Sequence, residues 1–128
     1  NDIPYILSAE KYNDDPRDLC NIKDLDGFYA RVEVMMTNMK RLIKPSNYEK
    51  GIFKPIIMKV GSQRRGTKGF IDMATDIEMI ARKHSLILHD KIMNELRPSM
   101  QSYIINTSFQ KRFTMKIHET NLVFVKYE

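Results

Sequence analysis

The order of hydrophobic patterns predicts an α/β fold in which helices alternate with strands in a layered sheet. Three observations lead there. Residues 28–43 and 72–84 carry apolar side chains at helical spacing, residues 56–60, 86–93 and 121–127 read as strands, and the two kinds alternate along the chain. With 128 residues, 15.1 kDa and 42% hydrophobic content, the chain fits one domain with an ordinary core.

The elements follow in order. Residues 6–23 are polar, acidic and poorly periodic, with a turn signal at Asp14-Asp15-Pro16, and read as a mobile loop. Asp24 or Asp26 can cap the first helix, whose stripe is Val32, Met35, Met36, Met39 and Ile43, and Lys44-Pro45 ends it. The methionines suit a soft binding surface, but this spacing is far more often a packed core face. Pro55 fits only the start of a strand, so the branched run after it, up to Gly61, is expected to be a buried strand. The second helix places Met73, Ile77, Ile80 and Ala81 on one face. Between the last two strands, the chain shows no clear period.

Charge is unevenly spread. The formal charge is +5 with a pI near 9.3, which favours an anionic partner. Residues 1–26 hold seven acids against three bases, whereas residues 40–70 hold nine bases and one acid, Glu49. Two basic loops stand out, 61–69 with Arg64, Arg65 and Lys68, and 98–118 with Lys111, Arg112 and Lys116. Such cations are usually only a solvated surface, but two loops of this kind can form one positive face.

Other chemistry is excluded by composition. A single cysteine, Cys20, rules out an internal disulfide and a multi-cysteine metal site, and it points to a reducing cytoplasm. No apolar run is long enough to span a bilayer, and no secretory signal is seen, so a soluble, cytoplasmic protein is expected. His84, His89 and His118 lack metal-ligand spacing, and the five glycines form no nucleotide-cradling fingerprint.

The first five residues are Asn1-Asp2-Ile3-Pro4-Tyr5. A carboxylate, a proline-stiffened turn and an aromatic ring suit the holding of a flat, amino-bearing ring such as a flipped-out base. The bland alternative is an Asp-capped turn with a packed tyrosine.

Taken in order, the motifs resemble those of the DNA amino-methyltransferases. Asp2-Ile3-Pro4-Tyr5 is similar to the family's Asp-Pro-Pro-Tyr, and Met39-Lys40-Arg41-Leu42-Ile43-Lys44-Pro45 resembles a helix end reading Arg-Val-Leu-Lys-Pro. Met58-Lys59-Val60-Gly61 looks like the following strand and turn. Residues 75–84 look like the next family helix, and 86–92 like the strand after it. His118-Glu119-Thr120-Asn121-Leu122-Val123-Phe124-Val125-Lys126 is similar to His-Glu-x-x-Leu-Val-Phe-x-Lys. The resemblance covers nearly the whole chain.

It implies a partial Rossmann-like, class I methyltransferase sheet with flanking helices, forming the catalytic half of an enzyme that methylates an exocyclic amine of adenine or cytosine. The methyl donor implied is S-adenosylmethionine. Asp2 and the backbone carbonyl of Ile3 would accept the amino hydrogens, Pro4 would fix the turn, and Tyr5 would stack on the flipped base. Ile3 departs from the family's proline, leaving an amide N–H and a looser turn. The two basic loops would contact DNA phosphates.

The family's donor-binding Phe-x-Gly-x-Gly does not occur in these 128 residues. A further chain segment or a second subunit would have to carry it, and the 128 residues alone are expected to be inactive. The host implied is bacterial, archaeal or phage. The competing reading is an inactive, methyltransferase-derived DNA-binding or interaction module, and an RNA or protein methyltransferase is a weaker third.

Overall fold

The computed structural model describes residues 14–22, 24–61, 63–64, 69–95 and 118–128. Of the loop expected over 6–23, residues 14–22 are described and form hydrogen-bonded turns, and residues 6–13 and 23 lie outside the described residues. Leu19–Asn21 is a single 3-10 turn, and the Asn21 side chain donates to the Asp15 carbonyl at 2.8 Å. Arg17 grips the Asp15 carboxylate through two nitrogens, and that hydrogen-bonded pairing holds Asp15 below the usual carboxylate range.

Asp24 decides where helix α1, Leu25–Leu42, begins. Its carboxylate accepts the Gly27 amide at 2.6 Å, satisfying one of the donors that every helix start leaves open. The cap therefore starts the helix ahead of the hydrophobic stripe that suggested residue 28. Phe28, Val32 and Met36 are fully buried, and Met35, Met39 and Ile43 pack beside them, so the methionine stripe is a core face.

Strand β1, Ile56–Val60, has the expected bounds but not the expected burial. Ile56, Met58 and Val60 point into the core, whereas Ile57, on the other face of the strand, is 50% exposed. Within the expected 61–69 loop, β2, Gln63–Arg64, pairs antiparallel with β3, Phe70–Ile71. Helix α2, Met73–Lys83, is capped by Asp72, which accepts the Thr75 amide at 3.3 Å and the Thr75 hydroxyl at 2.8 Å. Met73, Ile77, Ile80 and Ala81 are buried, as their spacing indicated.

The sheet is completed by β4, Ile87–Glu95, and β5, His118–Val125, in the order β1-β5-β4. Both neighbours of β5 are antiparallel to it. A Rossmann-like sheet would pair parallel neighbours; here β1 and β4, which do run parallel and are joined through α2, are separated because β5 enters between them. Alternate β5 residues divide the faces: Leu122 and Phe124 meet the helices, while Val123 and Val125 face the other way.

A polar clasp closes the end of the sheet where β1 starts. Buried Ser46 donates its amide to the Lys126 carbonyl at 2.6 Å, and its hydroxyl accepts the Lys54 amide at 2.9 Å. Lys126 in turn donates through Nζ to the Lys40 carbonyl at 3.1 Å, so the last turn of α1 lies beside the end of β5. The 18 residues of α1 span about 27 Å, carrying its capped start toward the opposite end of the sheet.

Candidate nucleic-acid interface

The two basic loops leave the sheet from the same end. Val60, the last residue of β1, stands opposite Thr120 of β5, and Glu95, the last of β4, stands opposite His118. Segment 61–69 therefore departs two rows from where 96–117 departs and returns. This is the carboxyl end of the parallel strands β1 and β4, the side on which open α/β sheets bind their ligands.

Near this end, Lys59 meets the Glu119 carboxylate at 3.1 Å; farther along the sheet, Lys91 lies 3.7 Å from Glu78, which also receives Arg82 at 2.7 Å. The helix starts are occupied, since Asp24 and Asp72 take amides that a phosphate would otherwise contact.

Of the loop cations, Arg64 has its backbone in β2, opposite Phe70. Its side chain, and all of Arg65, Lys68, Lys111, Arg112 and Lys116, lie outside the described residues, as do Asp2, Ile3, Pro4 and Tyr5. What the structure brings together is the pair of loop attachments.

The histidines have separate settings. His84 Nε2 lies 3.2 Å from Glu33 Oε1, and its Nδ1 lies 3.4 Å from the Thr37 hydroxyl. His89 sits at a register shift in β4, 3.3 Å from the Tyr127 hydroxyl and with its ring 4.8 Å from that of Phe53. His118 begins β5, three residues ahead of the strand start expected at 121.

One feature escaped the sequence reading. Tyr29 donates its hydroxyl to Asp76 Oδ2 across the two helices, while Glu33 and Thr37 reach His84 farther along, so α1 and α2 run parallel. Burial, then the hydrogen bond to Asp76 and its negative charge, push the Tyr29 phenol well above its ordinary value. The two residues are 47 positions apart, and although Asp76 lies in the 75–84 segment, nothing there singles it out as a partner of Tyr29. Beside them lies a groove of about 410 Å³ lined by Asp26, Tyr29, Ala30, Glu33, Asp76, Met79, Ile80 and Lys83.

No protein-family model and no curated protein matches the chain. Its fold is similar to that of a crystal structure from Thermus thermophilus, a proposed DNA modification methylase, with a TM-score of 0.60 and 14% identity. The likeness covers 80% of this chain and 38% of that one, so this chain spans well under half of its neighbour's length. At that identity, the likeness is one of fold. Among the described residues, no helix is long and apolar enough to cross a membrane.

Proposed function

We propose that the chain is the catalytic and target-contacting part of an S-adenosylmethionine-dependent DNA amino-methyltransferase, acting on adenine or cytosine. The observation that carries this reading is the fold likeness to a proposed DNA modification methylase. Two features agree with it. The strands β1 and β4 run parallel and are joined through a helix, the unit from which Rossmann-like sheets are built, and such sheets commonly contain an antiparallel strand. Both basic loops also depart from the carboxyl end of those strands.

In this reading, Arg64, Arg65, Lys68, Lys111, Arg112 and Lys116 hold the DNA backbone, and their contacts carry no sequence information. Asp2 and the Ile3 carbonyl orient the exocyclic amine, Pro4 shapes the turn, and Tyr5 stacks on the extruded base. The donor supplies a sulfonium-bound methyl group. The glycine-rich segment that would hold it belongs to a further segment or a second subunit. An enzyme of this kind works beside DNA in a bacterial or archaeal cytoplasm, or is encoded by a phage.

The test is transfer of labelled methyl from S-adenosylmethionine to DNA by the intact gene product. Transfer is expected, and Asp2→Ala should lower kcat by about 100- to 1,000-fold, the usual cost of losing a preorganised polar group, while leaving DNA affinity unchanged. If the intact product binds DNA but transfers no methyl group, the enzyme reading is wrong and a binding module remains.

A further inference from the structure

The groove between α1 and α2 is acidic, although the formal charge of the chain is +5. Its walls carry three carboxylates, Asp26, Glu33 and Asp76, against one ammonium, Lys83. Between them lie Ala30, Ile80 and Met79, the last 59% exposed although it stands on a helix whose opposite face is core. The Tyr29–Asp76 hydrogen bond ties the two walls together, so the groove is a fixed feature of the helix pair.

We propose that this groove is a docking surface for a cationic amphipathic helix of a partner protein. The carboxylates repel nucleic acid and anionic lipid, which leaves a positively charged protein segment as the complementary occupant. The walls are helices whose backbone groups bond internally, so they offer no strand edge for pairing. A partner must engage through side chains, and two parallel helices present ridges that a third helix can fit. Aliphatic side chains of that helix cover Met79, Ile80 and Ala30, while flanking lysines or arginines meet Asp26 and Glu33. The proposal is independent of methyl transfer, because none of the residues that line the groove is among those assigned to the base, the methyl donor or the DNA phosphates.

The test titrates the isotope-labelled chain with three synthetic peptides: a leucine–lysine amphipathic helix, the same helix with glutamate for lysine, and a flexible glycine–lysine peptide. The leucine–lysine helix should bind, with the largest shifts at Ala30, the Met79 methyl and Lys83. Met79→Lys and Asp26→Lys, both at exposed positions, should each weaken it about tenfold with the fold intact by amide spectrum. Equal binding of the glutamate peptide or of the flexible one would overturn the proposal. So would shifts centred elsewhere, unchanged affinity in the two variants, or no binding by the leucine–lysine helix.

Discussion

Val60 and Met93 flank the same residue, Thr120, from opposite sides of β5. That row is the last shared by all three strands, and the two basic segments are rooted just beyond it. If both loops lie along one duplex, their phosphate contacts add. Removing Arg64, Arg65 and Lys68 should weaken DNA binding on every sequence, and each lost phosphate contact should flatten the plot of log K against log salt by about 0.9. Removing Lys111, Arg112 and Lys116 should act likewise, and the combined variant should show the sum of the two slope changes. Fluorescence anisotropy over a salt series measures this, and slope changes that fail to add would show that the loops do not share a duplex.

Tyr29 gives a pH-dependent signature. Below a pH of about 10, its phenol is protonated whether the chain is folded or not. Above that, the unfolded chain ionises first while the buried, Asp76-bonded phenol keeps its proton, so the folded state binds more protons and stability falls as pH rises. Tyr29→Phe should cost roughly 1 kcal/mol at neutral pH through the lost hydrogen bond, and it should remove part of the alkaline decline. Urea midpoints from pH 7 to pH 11 for both proteins test this. Parallel curves would refute it.

Asp24 and Gly27 are coupled. Replacing an exposed helical glycine by alanine ordinarily stabilises by about 1 kcal/mol. Here the added Cβ would stand 2.8 Å from Asp24 Oδ2, displacing the cap, whose loss costs a similar amount. Gly27→Ala alone should therefore change stability little. In an Asp24→Ala background, the same substitution should stabilise by up to about 1 kcal/mol, and a double-mutant cycle by thermal denaturation reads the difference.

Ser85 ends α2 in the left-handed region at φ 59°, while the Leu86 amide donates back to the Ala81 carbonyl at 3.0 Å. Glycine adopts this conformation without a Cβ penalty. Ser85→Gly is expected to raise stability by a few tenths of a kcal/mol up to about 1 kcal/mol, whereas Ser85→Val should lower it, since a branched Cβ suits this region least. Thermal denaturation of the two variants beside the parent chain checks the opposite signs.

The helices were legible because their signals are local. Val32 and Met36, or Ile77 and Ala81, are four positions apart and face the same core, and each helix carries its own capping aspartate. The existence of β1, β4 and β5 was legible on the same grounds, but the short β2–β3 pair and the strand neighbours were not. Nothing near residue 120 says that this segment enters between 56–60 and 87–95, since that depends on pairing distant stretches. The exposure of Ile57 was hidden for a related reason, because a branched run looks the same whether one face of the strand is buried or both. The Tyr29–Asp76 contact needed the helix packing itself. Of the candidate site, the sequence supplied the residues, and the fold added that both basic loops start from one end.

The central position of β5 also shapes how this protein is made. Phe124 pairs with Ile56, across a separation of 68 residues, and the same strand pairs with β4 along its whole length. While the chain is still emerging from the ribosome, β1 and β4 each wait for a neighbour that is translated after them. The three-stranded sheet can close only once residues 118–125 have emerged, so folding is governed by long-range contacts and is slow. Until then, the apolar faces of both helices lie open to chaperones and to aggregation.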